Sequence, residues 1–398
     1  MKRPRGGSLW LLLTSDDLIA RLATLVPPPR VHAFRYHGVF APNSKVRRRI
    51  VPQPASTPKP EQPAPAAAPV SHRADSRFLV SCPRRCLSFL PAISNIGKMS
   101  DSTIVVAGAT GHLGGRIARA LRDRGASVRA LVRHSTTPDR LERLQKLGVT
   151  ITGADLASAS EVAAACSGAS CVVSALQGLR DVIVDAQTVL LDAAIKAGVP
   201  RFIPSDYSID FTKFPSGENR NLDLRREFHE RLEQTSISST TIFNGAFGDM
   251  LTGQMPLILF KLHRVLYWGN ADQRMDFTTM DDTAAFTASA ALDPSAPRFL
   301  RIAGDQLSAR ELAAVATGVT AQRFRLFRAG GLGTLGMLIR IARTLAPGEK
   351  EIFPAWQGMQ YMRNMFDGRA KLEPLDNERY PGIRWTTARD VLSARRVG

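Results

Sequence analysis

Cysteine is scarce in this chain of 398 residues, with four in all, at positions 82, 86, 166 and 171. So few thiols in so long a chain exclude a disulfide-stapled secreted scaffold. Cys82 and Cys86 have no second Cys/His pair at metal-ligand spacing, so no zinc centre or other metal site is expected. Cys166 and Cys171 sit among apolar neighbours and read as core. Long hydrophobic runs are also missing: nothing approaches the ~20 apolar residues of a membrane span. The apolar stretch at residues 9–13 follows basic residues but breaks at Asp16-Asp17, too short for a secretory signal. A cytoplasmic protein without a membrane partner is the expectation.

What the chain has in excess is positive charge, a formal +18, and it is unevenly spread. Residues 1–98 hold 16 Lys/Arg against 4 Asp/Glu, and 14 of the 25 prolines. Residues 15–25 have the pattern of one short amphipathic helix, ended by Pro27-Pro28-Pro29. Residues 52–69 are Pro/Ala-rich and bury too little apolar surface to offset the entropy of ordering, so this leader is expected to be disordered. The basic cluster at residues 45–49 reads as a solvated charge run, and no nucleic-acid partner is expected. Residues 27–32 and 35–45 resemble the tail of a bacterial insertion-element transposase. That resemblance implies a fused genetic remnant, with Met99 as an alternative start.

The chain's organising stretch is Ile104-Val105-Val106-Ala107-Gly108-Ala109-Thr110-Gly111-His112-Leu113-Gly114, followed by apolar residues at helical spacing. It reads as a buried strand, a tight G-x-x-G-x-x-G turn and a helix. Gly108 turns the chain, Gly111 admits a diphosphate to the backbone, and Gly114 lets the helix lie close to the strand. The first-turn N–H groups contributed by Thr110, His112 and Leu113, with the helix dipole, would then face phosphates. Residues 127–132 read as a second strand that ends at Arg133-His134-Ser135. A basic residue at that point accommodates the 2′-phosphate of NADP, whereas an acidic one favours NAD. Arg133 therefore points to NADPH as cofactor. Asp155 stands at the end of the third strand (149–152), either beside the adenine or as the cap of the next helix. Gln177 follows the fourth strand (171–176), on the nicotinamide side. A helix over 185–197 and a fifth strand over 201–204 complete a Rossmann-type, doubly wound parallel sheet over residues 101–250. Residues 251–398 are expected to form a smaller α/β substrate lobe with contributions back to this core.

The glycine stretch, Arg133 and Ala197-Gly198-Val199-Pro200-Arg201-Phe202-Ile203-Pro204-Ser205-Asp206-Tyr207 together resemble the NmrA-like, isoflavone-reductase-like group of atypical short-chain dehydrogenases. The resemblance spans residues 102–390. It implies an NADPH-dependent oxidoreductase acting on a small acceptor, or a non-catalytic NADP(H)-sensing regulator that works through a protein partner. The Tyr-x-x-x-Lys pair of many short-chain dehydrogenases is absent, because Tyr207 has Phe211 four residues on, Tyr267 has Ala271 and Tyr361 has Met365. In the isoflavone-reductase-like branch a lysine lies in the helix after the fifth strand, and that position falls here at Arg225 or Arg226. Arginine stays protonated and cannot hand over a proton, but it can stabilise an oxyanion. Tyr207 is the first choice of proton donor, with Ser205 and Asp206 beside it. His229, on a charged helix face, reads as a surface histidine. A sixth strand is predicted over 240–244, with Phe247 and Met250 beyond it as walls of the substrate pocket. Met337, Trp356, Met359, Tyr361, Met362 and Met365 give the C-terminal lobe a soft aromatic character that suits a flat aromatic or quinone acceptor, and core packing accounts for it equally well.

Overall fold

From Ile104 onward every residue of β1 (Thr103–Ala107) is buried, as the central strand of a parallel sheet must be. The computed structural model describes residues 102–395, so the readings made for residues 1–98 and for Met99 lie outside the described residues. After β1 come α1 (His112–Asp123), β2 (Ser127–Val132), α2 (Pro138–Gln145), β3 (Thr150–Gly153), α3 (Ala159–Cys166), β4 (Cys171–Ser174), α4 (Gln187–Lys196), β5 (Arg201–Ile203), α5 (Arg220–Leu232) and β6 (Ser238–Ser239). The six strands form one sheet in the order β3-β2-β1-β4-β5-β6, and every pairing is parallel. The order reverses between β1 and β4, and ligands of such sheets bind outside the strand ends at that reversal.

Alternate residues of each strand feed two cores. Ile104, Val106, Val173 and Ile203 pack on one face with Ile117 and Leu121 of α1. Val105, Ala107, Val172 and Phe202 pack on the other with Val162, Leu190 and Phe228 of α3, α4 and α5. Cys166 and Cys171 are both fully buried in these cores. The doubly wound Rossmann-type sheet expected from the strand–helix alternation is the one present. Helix α4 is preceded by a wider π-type turn, Asp181–Ala186.

Strand structure begins two residues before the predicted 240–244 and breaks at Thr240. Ser238–Ser239 stays beside β5, but β7 (Thr241–Phe243) leaves the main sheet. The Arg201 guanidinium binds the Thr240 hydroxyl at 2.8 Å and the Ala296 carbonyl at 3.0 Å, tying a distant segment against this point. Beyond β7 run β8 (Ala246–Phe247), β9 (Ile258–Leu259), β10 (Arg264–Trp268), β11 (Met275–Thr278), α6 (Met280–Leu292), β12 (Phe299–Arg301), β13 (Asp305–Leu307), α7 (Ala309–Thr320), β14 (Arg325–Gly330), α8 (Leu332–Leu345), α9 (Ala355–Asp367) and α10 (Ala388–Ser393). β7 pairs with β12, while β8-β11-β13 and β9-β10-β14 make two small sheets. Their core includes Phe243, Leu251, Trp268, Phe277, Leu312 and Met365. Helix α6 turns back to cover the first half: Ala284, Phe286 and Ala288 share the core of α1, and Arg116 pairs with Asp281 at 2.8 Å. Among the described residues no helix is long and apolar enough to cross a membrane, and no His/Cys/Asp/Glu group could hold a metal ion.

Candidate functional site

The turn from β1 into α1 is built around absent side chains. Gly108 has φ +82°, and a Cβ there would lie 2.5 Å from the Ala175 carbonyl oxygen at the end of β4. A Cβ on Gly114 would lie 2.2 Å from the Gly108 carbonyl oxygen, so only glycine lets α1 start this close to β1. Gly111 is exposed, and a Cβ there would meet only the Gly108 carbonyl oxygen, at 3.2 Å. Helix α1 begins at Gly111 with no side-chain cap and no acidic residue in its first turn. Its first-turn N–H groups and positive dipole end therefore receive no side-chain cap, which suits them to a diphosphate. Thr110 and Leu113 are half-buried in this turn and His112 is exposed. Partial burial first, then the charges of Arg116, Arg143 and Arg140, hold the His112 imidazole below its ordinary pKa. The loop thus faces a cationic surround from α2 as well as its own helix.

Arg133 lies exposed just past the end of β2 and forms no ion pair among the described residues. Its neighbours are committed elsewhere. His134 Nε2 pairs with Glu161 Oε2 at 2.9 Å, and the same carboxylate oxygen accepts the Asp155 N–H at 3.0 Å. Asp155 is exposed at the end of β3, where its Oδ1 accepts the Ala157 N–H at 3.0 Å. The cap of α3 is Ser158, which accepts from Glu161 N; the capping alternative weighed for Asp155 does not apply. The open glycine cradle, the uncapped helix start and the unpaired Arg133 fit a dinucleotide bearing a 2′-phosphate.

At the other mouth, Ser205 is buried, donates to the Leu176 carbonyl at 2.6 Å and holds Gln187 through its N–H at 3.0 Å. Gln177, one residue beyond Leu176, is exposed. Phe247 and Met250 are half-buried, each packed on a different core. Tyr207 turns away from the strand ends. It is 8% exposed, packs under α6, and its hydroxyl nears Thr287 and Cys171, the latter at the start of β4. Burial pushes its phenol well above the ordinary tyrosine range. Thr287 gives it no well-formed hydrogen bond, its own hydroxyl being bound to the Thr283 carbonyl at 2.7 Å. A phenol so placed is a poor acid for a substrate at the strand ends.

The two arginines of α5 separate cleanly. Arg226 donates to Ser216 Oγ, Asp223 Oδ1 and the carbonyls of Phe211 and Phe214 at 2.6–3.1 Å, so it clamps the preceding loop to the helix. Arg225 makes one such bond, to the Asn221 carbonyl at 2.8 Å, and its buried Nε has no partner. His229 is not on the surface: it is 5% exposed and inserted in a polar network the periodicity concealed. Its Nε2 lies 2.6 Å from Asp206 Oδ2, which also accepts from Thr241 Oγ1 at 2.9 Å. Arg298 reaches His229 Nδ1 at 3.1 Å and Thr241 Oγ1 at 2.8 Å. Arginine only donates, so Nδ1 accepts and the ring proton sits on Nε2, given to Asp206. Burial pushes the Asp206 carboxyl up, yet His229, Arg225 and Thr241 hold it below its ordinary pKa. Two residues passed over in the sequence adjoin this network, and Arg298 does so from the starts of β5 and β6, where it lines a cleft with Arg201, Ser238 and Pro294. Arg298 carried no local signal, and Asn244, at the end of β7, is fully buried with neither amide atom hydrogen-bonded.

The NmrA-like family matches residues 100–345, more than half of the chain, and the protein belongs to that family. A putative transposase family matches residues 5–48, in line with the resemblance of the leader. Pinoresinol reductase 1 of Arabidopsis thaliana is 28% identical over 214 residues, which cover 50% of this chain and 67% of the relative. Among solved structures, "AtPrR2 with NADP+ and (+)pinoresinol" superposes with a TM-score of 0.63 at 22% identity, covering 74% of this chain and 99% of that one. The NADPH complex of the NADPH-dependent quinone oxidoreductase QOR2 from Escherichia coli gives 0.58 at 18% identity, covering 73% and 98%. At these identities the structural likenesses establish the shared fold.

Proposed function

We propose that the protein is an NADPH-dependent reductase that transfers hydride to a small aromatic or quinone-type acceptor. The observation that carries this reading is the pairing of an uncapped glycine-loop helix start with an Arg133 that has no partner of its own. The family relatives named as reductases, and the neighbours solved with NADP+ or NADPH, support the same cofactor. The quinone oxidoreductase neighbour supports the acceptor class.

NADPH supplies the hydride when bound. The chain's part is to place and polarise. Gly108, Gly111 and Gly114, with the N–H groups of the α1 start beside Thr110, His112 and Leu113, hold the diphosphate. Arg133 takes the 2′-phosphate in a forked, charge-assisted contact. Asp155 and Gln177, exposed at the ends of β3 and β4, flank the adenosine and nicotinamide ends. Ser205, Phe247 and Met250 border the acceptor. Arg225, whose guanidinium is the less committed of the pair, steadies the charge that develops on the acceptor oxygen. Because arginine keeps its proton, the proton that completes the reduction comes from water.

The test is anaerobic consumption of NADPH with 1,4-naphthoquinone by the full chain. Turnover should fall by about 10²-fold in Arg225→Ala, the scale of losing one oxyanion donor, with NADPH affinity retained. Absence of turnover with any quinone, together with tighter binding of one nicotinamide redox state, would favour the second reading. That reading, a redox-sensing regulator with a protein partner, draws on one observation: arginine occupies the position of the branch lysine.

A further inference from the structure

We propose that the cleft between α8 and the loop leading into α9 is an oxyanion subsite, and that the acceptor reduced beside Arg225 carries a carboxylate, sulfonate or phosphate held there. This inference rests on the reductase reading above and adds a substrate class to it.

The cleft encloses about 540 Å³, within the size of small-molecule sites, and Arg220, Arg340 and Arg343 line it with Thr344, Glu349 and Trp356. Trp356 is 2% exposed and serves as a mount rather than a contact surface. Its indole N–H donates to the Pro347 carbonyl at 2.9 Å. The guanidinium carbons of Arg220 and Arg343 lie 4.8 Å and 5.2 Å from its ring centre, close enough for cation–π attraction to hold both. Arg220 is fixed further by the Glu351 and Ile352 carbonyls at 2.8 Å and 2.9 Å. Arg340, Arg343 and Glu349 form no ion pair among the described residues. Three guanidinium groups thus converge on a cavity with one carboxylate on its wall. An anion supplied from outside would relieve their mutual repulsion, and the planar forks match an oxyanion's geometry.

The cleft shares a wall with the reacting end. Asn221 Nδ2 binds the Ile352 carbonyl at 3.0 Å, while the Asn221 carbonyl accepts Arg225 at 2.8 Å. The half-buried Tyr361 side chain lies beside Asn221 and within electrostatic reach of both Arg225 and Arg220. A ligand anchored by Arg220, Arg340 and Arg343 therefore abuts the side chains that surround Arg225.

The test uses the full chain saturated with NADP+, titrated by calorimetry with naphthalene-2-sulfonate and with uncharged 2-naphthol at neutral pH. The sulfonate should bind about tenfold tighter, and salt should erode that advantage. Arg340→Ala/Arg343→Ala should abolish the advantage, and Arg340→Lys/Arg343→Lys should keep part of it; both positions are exposed, so folding is not at stake. Equal binding of the two ligands by the wild type, or an advantage that survives the alanine pair, overturns the proposal. In turnover, 1,2-naphthoquinone-4-sulfonate should show a KM about tenfold below that of 1,2-naphthoquinone at similar kcat. If the sulfonate binds selectively but neither quinone is reduced, the subsite stands and the reductase reading falls. If both are reduced with equal KM and the sulfonate has no binding advantage, the reductase reading stands and the subsite falls.

Discussion

The mouth at the β1–α1 turn and the buried network between β5 and α5 are built on different principles. At the β1–α1 turn the polar groups on offer are backbone N–H groups, left open because Gly108, Gly111 and Gly114 carry no side chains. Between β5 and α5 the polar groups are side chains drawn from four separate segments: Asp206, His229, Thr241 and Arg298. The turn is assembled by a dozen consecutive residues and needs only space. The network depends on buried polar and charged groups meeting across the fold. The first is thus a local construction in this chain, and the second is not.

The largest effect should come from breaking the buried network. Asp206→Asn removes the carboxylate that balances Arg225 and Arg298 and accepts the His229 proton. Losing one partner of a buried pair costs about 3–5 kcal/mol, measurable by urea unfolding. Because the folded state holds this carboxyl below its ordinary value, its contribution is present above the unfolded pKa and disappears as pH falls through the folded one. The wild type should therefore lose stability on acidification more steeply than the variant. Similar stability and parallel acid profiles would mean the network is only decorative. At the first mouth, Gly114→Ala places a Cβ against backbone and should cost about 1–3 kcal/mol. It should also remove the rise in Tm that NADPH produces; an unchanged rise would break the claim that space alone makes this site. The comparison sharpens with the two adjacent arginines. Arg226→Ala deletes three hydrogen bonds to one loop and one to Asp223 of its own helix, and should cost about 2 kcal/mol. Arg225→Ala should change stability least and turnover most.

How much could be read in advance follows the same division. The strand–helix alternation through residue 203 and the glycine turn were legible because each depends on neighbours a few residues away. The capping box at the start of α7, in which Ser308 and Glu311 exchange reciprocal bonds, is of the same local kind. The split at Thr240 was not legible, because it is Arg201 and the segment at Ala296 that force β7 toward β12. His229 was misread for the same reason: its helix face is charged in sequence, but the imidazole itself meets Asp206 and Arg298 rather than water. Tyr207 stands at a strand's end in sequence, yet its side chain follows the core-facing alternation and runs beneath α6. Trp356, Met362 and Met365, whose aromatic and soft character left pocket and core equally open, are buried core residues, while Met337 is 53% exposed.

In the proposed function, Arg133 and the uncapped α1 start together form an NADPH site. Calorimetric titration of the full chain with NADPH and NADH, in wild type and Arg133→Ala, tests it most directly. The wild type should prefer NADPH by about ten- to a hundredfold, the worth of one charged contact to the 2′-phosphate, and the variant should bind both cofactors with NADH-like affinity. Equal affinities in the wild type, or an NADPH preference that survives in Arg133→Ala, would contradict it.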